Sequence, residues 1–502
     1  MRNSFKAALV GLVLASALGA AGGVFAQDAK GGGDKPPAIE LPAFPADKSV
    51  KQTTTLGGKV ISYTATVGSL PVRDEKGKKV AEVVFTAYTL DGPRDPNRPL
   101  TFAFNGGPGA ASVYLNFALG PKRVQFGAEG DSPSAPVKLE DNPASWMDFT
   151  DIVFIDPVGT GFSRSLTTED ETKKRFYGVK QDIDYLSRIV FDWLVKNDRL
   201  ASPKYLVGES YGGYRAPRIA HFLQTDLGVG PSGVVMVSPF LDAQSEQGGN
   251  FGPMAWVSTL PSMAAANLER QGQPLNAETM APIEAYARGE YVTDLLKGRS
   301  DQAALDRMVT HVSALTGLDP NFVRRSGARI ESRAFLRELY RDQGKVGSWY
   351  DSNVTAFDPF PWSPDGQGGD PILNGIIAPT TTAMVNFVTN TVGWKVEARY
   401  NALSGDVGNK WEAGWWQTAE AVTDFRQAVA VDPKMKVLIV HGYDDLSCPY
   451  MVSKIVVDQM PLMGDPSRVQ VKVYPGGHMF YSRPASQAAL RHDVMVMYGA
   501  AS

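Results

Sequence analysis

The segment Gly208–Gly212 reads Gly-Glu-Ser-Tyr-Gly and fits the pattern Gly-x-Ser-x-Gly. It follows the apolar run Tyr205–Val207 and precedes a helix-like stretch at residues 214–225. On a sharp strand-to-helix turn only small residues fit beside the serine, and the turn lifts the hydroxyl above the sheet. This context predicts that Ser210 is a nucleophile rather than part of an ordinary loop.

A serine nucleophile needs a base, and the base needs a carboxylate that orients it. On such folds the chain order is serine, acid, histidine, each placed after a strand. His478 follows one strand-like run, and Asp444 and Asp445 follow another. Both acids remain candidates on spacing alone. His441 ends a strand-like run directly and is interpreted as structural.

The reaction also needs hydrogen-bond donors for the developing oxyanion. The loop Asn105–Gly109 reads Asn-Gly-Gly-Pro-Gly after a strand-like run. Its Gly106-Gly107 step allows backbone N–H groups to approach a ligand. The N–H of Tyr211, directly after the nucleophile, would be the second donor. A plain tight turn is the alternative interpretation of this loop.

Glu209 places a carboxyl group beside the predicted nucleophile, where an ionised group would repel negative charge. A protonated carboxyl could instead donate a hydrogen bond to a substrate carboxylate, and burial favours that state. A salt bridge with Arg215 is the alternative. The first interpretation predicts that acidic pH favours activity.

The chain has 502 residues, 43% hydrophobic and 21% charged, which is typical of a globular protein. A net charge of -3 implies no large basic surface, so nucleic acid is not an expected partner. The sequence has no His-Glu-x-x-His motif, and residues 159–164 lack the third glycine of a dinucleotide fingerprint. We therefore expect neither a metal nor an organic cofactor.

Residues 1–26 resemble a signal peptide: a basic start, an apolar run and small residues before Gln27. An uncleaved membrane anchor is the alternative. Cys448 is the single cysteine, so no internal disulfide can form. These features predict export to a bacterial periplasm or secretion, with no membrane association after cleavage. Residues 27–50 are rich in Gly, Pro and charge and are predicted to be a flexible leader.

Apolar strands alternate with helices over residues 51–244 and 376–502, which predicts a mostly parallel central sheet flanked by helices. Residues 59–72 and 81–90 alternate in polarity and predict an antiparallel hairpin at one sheet edge. In residues 245–375 the alternation of strands and helices stops, and the sequence has amphipathic helical stretches instead. They are predicted to be an inserted helical cap over the strand ends.

Four blocks together resemble the serine carboxypeptidases, the family typified by yeast carboxypeptidase Y. They are Asn105–Ser112, residues 142–164, residues 207–217, and residues 442–450 with 476–480. The resemblance spans most of the chain after the leader and implies an α/β-hydrolase fold. The cap region between the blocks carries no such likeness.

The resemblance implies that Ser210 is the nucleophile and His478 the base. The family's acid stands three residues before a cysteine, as Asp445 does before Cys448, so Asp445 is preferred over Asp444. In the family this cysteine lines the substrate pocket, and Cys448 is expected there.

By the same resemblance, the backbone N–H groups of Gly107 and Tyr211 form the oxyanion hole. Asn105, Gly106 and Glu209 are expected to bind the terminal carboxylate of the substrate.

Two positions depart from the family. Ala110 stands where many members have a disulfide-bonded cysteine, which is consistent with a disulfide-free bacterial branch. Ala118 stands where the family often has a second glutamate, hydrogen-bonded to the first. This departure weakens the expectation of strict specificity for a free carboxyl terminus.

The sequence thus predicts a serine carboxypeptidase that releases C-terminal amino acids from peptide substrates through an acyl-enzyme. An esterase or acyltransferase with the same triad is the first alternative. A non-catalytic envelope binding protein on a hydrolase scaffold is the second. Oligomeric state and side-chain preference are not determined by the sequence.

Overall fold

The computed structural model describes residues 41–93, 95–126, 130, 132–247, 252–363 and 368–501. The predicted signal peptide at residues 1–26 and most of the predicted leader lie outside these residues. Strand β1 begins at Lys48, so the last three residues assigned to the leader are strand.

Most strands of the described residues form one large sheet. The strands are β1 Lys48–Leu56, β2 Lys59–Arg73, β3 Lys79–Leu90, β4 Leu100–Phe104, β5 Lys122–Arg123, β6 Glu140–Asp141, β7 Asp151–Ile155, β8 Arg164–Ser165, β9 Lys204–Glu209, β10 Gly233–Val237, β11 Lys345–Gly347, β12 Thr355–Phe357, β13 Lys436–Gly442 and β14 Val469–Tyr474.

The large sheet has the strand order β1-β2-β3-β7-β4-β9-β10-β13-β14, with β8 paired to β3. The strands from β7 to β14 in that order are parallel, and β1, β2 and β3 pair antiparallel. The predicted antiparallel hairpin is β2–β3, but β1 lies outside it and forms the sheet edge. Because parallel strands end at one edge, the loops after β4, β9, β13 and β14 converge there.

Helices cover the sheet and build the cap. They are α1 Val113–Leu119, α2 Glu169–Phe176, α3 Val179–Lys196, α4 Tyr211–Thr225, α5 Ala243–Gln247, α6 Met254–Arg270, α7 Ala277–Tyr286, α8 Val292–Lys297, α9 Gln302–Thr316, α10 Pro320–Ser326, α11 Ser332–Glu338, α12 Pro371–Asn386, α13 Gly405–Lys410, α14 Trp415–Thr418, α15 Val422–Val431, α16 Tyr450–Asp458 and α17 Pro484–Tyr498.

Two hydrophobic clusters use opposite sides of the same strands. On β4, Phe102 and Phe104 join the cluster that contains α3, α4 and α15, whereas Ala103 joins the one that contains α1, α12 and α17. Alternate residues of a strand point to opposite faces, so both faces of the parallel sheet are buried. The prediction of a mostly parallel sheet flanked by helices is confirmed.

Helices between β10 and β13 pack around their own cluster, which includes Met263 of α6, Met308 of α9 and Phe335 of α11. Leu446, in the loop after β13, belongs to that cluster and links it to the sheet. The predicted cap region therefore contains a helical layer seated beside the strand ends. Its boundaries at 245 and 375 remain a prediction, and α12 runs through the second of them.

One helical stretch of the described residues, Pro371–Val392, is long and apolar enough to cross a membrane. Its side chains Ile372, Ile376 and Phe387 are buried against the sheet. One face of the stretch thus packs against the sheet.

Candidate active site

Ser210 sits on a strained turn between β9 and α4. Its backbone has φ +59° and ψ −123°, a conformation that residues other than glycine rarely adopt. Its N–H donates to the Val237 carbonyl oxygen at 2.9 Å, and its own carbonyl accepts from Phe240 at 3.2 Å. These bonds to the β10 end hold the serine above the sheet edge.

The glycines around Ser210 are required by close packing. A Cβ at Gly208 would collide with the Gly212 carbonyl, and one at Gly212 would collide with the Phe104 carbonyl. A Cβ at Gly213 would lie 2.6 Å from Cβ of Pro239. The strand, the turn and the first helical turn are therefore in backbone contact, as the Gly-x-Ser-x-Gly pattern predicts.

Asp445 and His478 form a buried pair. His478 Nδ1 lies 2.7 Å from Asp445 Oδ2, and the two side chains are 2% and 0% exposed. The other carboxylate oxygen, Oδ1, accepts the N–H groups of Ser447 at 2.8 Å and Cys448 at 3.0 Å. The loop toward Cys448 thus fixes the carboxylate, and the carboxylate fixes the imidazole.

Burial disfavours the charged imidazolium, but the Asp445 carboxylate outweighs it and raises the pKa of His478. Ionised Glu209 acts in the same direction. The His478 carbonyl accepts the Ser238 hydroxyl at 2.8 Å, which ties the histidine loop to the end of β10. His478 is therefore anchored to Ser238, and Ser210 is anchored to the neighbouring residue, Val237.

The hydroxyl of Ser210 interacts with the Cys448 thiol. Among the described residues it forms no hydrogen bond to the His478 ring. In free hydrolases this bond is often long and tightens only when substrate is bound. The arrangement brings the three predicted triad residues to one end of the sheet.

The loop that carries one predicted oxyanion donor, Gly107, packs against the turn that carries the other, Tyr211. A Cβ at Gly106 would lie 2.5 Å from the Tyr211 nitrogen, so the glycine loop rests on the start of α4. Gly107, Ser210 and Tyr211 line the same cavity. The first N–H groups of a helix have no acceptor inside it, so that of Tyr211 is available to an oxyanion.

Glu209 is fully buried beside these groups, at 1% exposure. The Asn105 side-chain amide donates to Glu209 Oε2, and the Tyr481 hydroxyl lies 2.8 Å from both carboxyl oxygens. Burial raises the pKa of Glu209 to about 7, against the opposing effects of His478 and the two hydrogen bonds. A proton on this carboxyl is therefore available at mildly acidic pH.

The alternative salt bridge between Glu209 and Arg215 does not form. The Arg215 guanidinium turns away to Asp182, at 2.7 and 3.2 Å, and donates to the Asn105 carbonyl oxygen at 2.7 Å. Arg215 thus supports the loop that carries Asn105.

A cavity of about 530 Å³ opens in front of Ser210. Its walls include the tryptophans at 256, 349, 415 and 416, together with Cys448. Of the described residues that line it, none is lysine, arginine or histidine. Glu246 also lines the cavity, and burial raises its pKa well above the usual range. The described lining therefore combines aromatic walls with two acidic side chains, those of Glu246 and Glu331.

Sequence reasoning missed a buried ionic network behind the histidine. Arg483 contacts Glu269 of α6 and Asp351 at 2.8 Å, and Asp444 lies 3.7 Å from the same guanidinium. Burial raises the pKa of Asp444 well above its usual value, and Asp351 adds to that shift. Asp444 thus belongs to this network, whereas its neighbour Asp445 contacts the histidine. The four residues are far apart in sequence, and no local pattern connects them.

The predicted structural histidine, His441, is fully buried in β13 and lies 2.8 Å from the Ser453 hydroxyl. Burial lowers its pKa to about 3, so it stays neutral. At the two departures from the family, Ala110 and Ala118 are both buried among apolar side chains.

The family model described as "Serine carboxypeptidase" matches residues 68–230. Serine carboxypeptidase-like 9 of Arabidopsis thaliana is 27% identical over 307 residues, covering 56% of this chain and 67% of the relative. Serine carboxypeptidase-like 50 of the same plant is 31% identical over 159 residues, covering 31% of this chain and 33% of the relative. The chain thus aligns with two thirds of the first relative and with one third of the second.

A solved structure supports the fold independently. A prohormone-processing carboxypeptidase from Saccharomyces cerevisiae superposes with a TM-score of 0.54 at 16% identity, covering 87% of this chain and 91% of the other. Such a likeness shows the α/β-hydrolase architecture. Over residues 68–230 the chain is similar to the serine carboxypeptidase family, and over a longer stretch it is similar to a plant serine carboxypeptidase-like protein.

Proposed function

We propose that the protein is a serine carboxypeptidase that removes the last residue of peptides through an acyl-enzyme. The observation that carries the proposal is that two pairs of buried side chains lie next to each other. The hydrogen-bonded pair His478–Asp445 lies at the Ser210 turn, and the buried pair Glu209–Asn105 lies directly beside that turn. The pair His478–Asp445 suits acyl transfer, and the pair Glu209–Asn105 suits recognition of a carboxylate.

In the proposed reaction, neutral His478 takes the proton from Ser210 Oγ as the oxygen attacks the last peptide carbonyl. Asp445 stabilises the imidazolium that forms. The N–H groups of Gly107 and Tyr211 stabilise the oxyanion. His478 then gives the proton to the leaving amine, and water, activated by the same histidine, hydrolyses the acyl-enzyme.

Protonated Glu209 and the Asn105 amide are proposed to hold the terminal carboxylate of the substrate. With its pKa at about 7, Glu209 carries the required proton below neutral pH. Because ionised Glu209 raises the pKa of His478, protonating Glu209 also helps His478 remain neutral. The productive state has the proton on Glu209 and none on His478 Nε2, and the two groups titrate as a pair.

The aromatic cavity in front of Ser210 supports a preference for large apolar side chains. Tryptophan walls bury apolar area and stack on aromatic rings. The described lining residues include no cation, so an acidic side chain of the substrate finds no partner among them. We therefore propose that peptides with a large apolar residue next to the scissile bond are the best substrates.

The test compares wild type with Ser210→Ala on N-blocked dipeptides, their C-terminal amides and their esters. We expect release of the free C-terminal amino acid by wild type alone, at acidic to neutral pH. Cleavage of esters but not of free-acid peptides would instead establish the esterase or acyltransferase alternative. If no substrate is cleaved and a fluorophosphonate does not label Ser210, the binding-protein alternative holds.

Export is part of the proposal and rests on the sequence of residues 1–26. Cleavage before Gln27 predicts a mature chain that begins at that residue. Amino-terminal sequencing of the protein recovered from an expressing bacterium tests this. A chain that retains residues 1–26 in the membrane fraction would contradict it.

A further inference from the structure

We propose that Tyr481 is a positioning residue that holds Glu209 ready for the terminal carboxyl group of the substrate. On this proposal it does the work of a second carboxyl partner, which position 118 does not supply. The inference rests on the proposed carboxypeptidase function. Tyr481 lies outside the proposed triad and outside the sequence motifs that carry the other proposed site residues.

The geometry around Glu209 is a three-residue clamp. Asn105 donates to Oε2 from one side, and the Tyr481 hydroxyl lies 2.8 Å from Oε1 and 2.8 Å from Oε2. A hydroxyl shared between both oxygens fixes the carboxyl plane as well as its position. Because Tyr481 is three residues after His478, the loop that places the base also places this clamp.

Tyr481 is itself held by packing. It is 2% exposed, and its ring meets the edges of Phe126 at 6.1 Å and Phe480 at 5.9 Å. Such aromatic contacts leave the ring few alternative rotamers. The hydroxyl is therefore held against Glu209 before any substrate arrives.

Position 118 supplies no polar side chain to this arrangement. Ala118 is 2% exposed and belongs to the same apolar cluster as Tyr481 and Phe126. Its carbonyl accepts the side-chain amides of Asn142 at 2.9 Å and Gln487 at 2.8 Å. The partner of Glu209 thus comes from the histidine loop instead of from helix α1.

A phenol partner has a different effect from a carboxyl partner. It is neutral, and its donated hydrogen bond stabilises the ionised form of Glu209. The other groups that act on Glu209 are His478, Asp445, Tyr114 and the Asn105 amide. Removing the phenol hydroxyl should therefore shift the Glu209 pKa upward while the other groups stay in place.

The test uses Tyr481→Phe, with Tyr498→Phe as the matched control. Tyr498 is half-buried, and its hydroxyl bonds Thr101 at 3.0 Å, at the opposite end of β4 from the active site. For peptides with a free carboxyl terminus we expect Tyr481→Phe to raise KM roughly 10-fold. The decline of kcat/KM with rising pH should move to higher pH. The matching esters should be little affected, and Tyr498→Phe should change neither quantity.

Replacing Tyr481 by 3-fluorotyrosine gives a second, opposite test. The more acidic phenol is a stronger hydrogen-bond donor, so the decline of kcat/KM with rising pH should move to lower pH, while the packing of the ring is retained. Equal profiles for wild type, Tyr481→Phe and the fluorinated protein would overturn the proposal and leave Tyr481 a purely structural residue.

An infrared titration of the carboxyl stretch keeps this inference separate from the proposed function. Glu209→Gln identifies the Glu209 band. If the band titrates at higher pH in Tyr481→Phe than in wild type, the clamp is established, whether or not peptides are cleaved. An unmoved band would overturn the proposal even in an active carboxypeptidase.

Discussion

The Arg215 guanidinium lies between the Asp182 carboxylate and the loop that carries Asn105. It donates to Asp182 at 2.7 Å and to the Asn105 carbonyl oxygen at 2.7 Å, and both charged side chains are about 1% exposed or less. The pair joins α3, the helix that starts after Ser210, and the glycine loop. The ion pair therefore fixes the two predicted oxyanion donors relative to each other.

Arg215→Met should lower the free energy of unfolding by about 3–5 kcal/mol at neutral pH. The reason is that Asp182 would be left buried without a cation. Urea unfolding of the purified variant measures the loss.

The double variant Arg215→Met/Asp182→Leu is the control for that measurement. It removes both charges, so it should recover at least half of the stability lost by the single variant. A single variant as stable as wild type would show that the ion pair contributes nothing to the fold.

Glu209→Gln tests the proposed role of a protonated carboxyl. Glutamine is neutral at every pH and can donate a hydrogen bond to the substrate carboxylate. In wild type, kcat/KM on free-acid peptides should fall as pH rises through about 7, where Glu209 loses its proton. In Glu209→Gln that fall should disappear, while activity at acidic pH stays within roughly 10-fold of wild type.

Asp156→Asn is the matched control for this pH profile. Burial raises the pKa of Asp156 to about 7 as well, but its carboxylate accepts the Ser112 N–H at 2.8 Å outside the clamp. Asp156→Asn should therefore keep the decline of kcat/KM that wild type shows with rising pH. If the decline instead vanishes in Asp156→Asn and persists in Glu209→Gln, the assignment to Glu209 is wrong.

The turn at Ser210 was predictable because its requirements are local. The glycines at 208 and 212 permit backbone contacts that any Cβ would block, and the strand before Ser210 is a continuous apolar run. The order of Ser210, Asp445 and His478 follows from parallel strands that end at one edge. These features depend on short segments, so the sequence displays them.

Side-chain partners from distant segments were not predictable. The salt bridge weighed between Glu209 and Arg215 assumed that sequence neighbours pair, but Arg215 faces Asp182 on another helix. Tyr481 reaches Glu209 from 272 residues away. Such contacts follow only from the packing of the helices and loops.

The cap shows a limit of helical periodicity. Residues 268–298 and 322–344 have the spacing of amphipathic helices, and each stretch contains helices separated by breaks. Gly272 and Gly327 end the helices before them with φ of +72° and +65°. A glycine in a left-handed conformation ends a helix regardless of the apolar pattern on either side.

Arg483→Met tests the ionic network behind the histidine. It would leave three buried or half-buried carboxyls, those of Glu269, Asp351 and Asp444, without their shared cation. The free energy of unfolding should fall by about 3–5 kcal/mol at neutral pH. Without the cation these carboxyls bind protons more strongly in the folded state, so the loss should shrink as pH falls toward 5.

Arg468→Met provides the comparison for Arg483. The Arg468 guanidinium is also buried, but its hydrogen bonds go to backbone carbonyls such as those of Asp432 and Met435. Its loss should destabilise the protein by a similar amount at every pH. Urea unfolding of both variants between pH 5 and 8 measures this, and parallel curves would contradict the proposed charge balance at Arg483.

Trp416→Ala tests the proposed preference for large apolar side chains. Trp416 is a half-buried wall of the cavity that also contains Ser210. Truncation removes apolar contact area from a bound aromatic side chain but little from a bound alanine. We expect kcat/KM to fall roughly 10-fold for N-blocked dipeptides with phenylalanine before the scissile bond and less than about 3-fold for alanine.

Trp362→Ala is the matched control, because Trp362 is 77% exposed and does not line this cavity. Equal losses for both peptides in Trp416→Ala would mean that the tryptophan supports the site without selecting the substrate side chain.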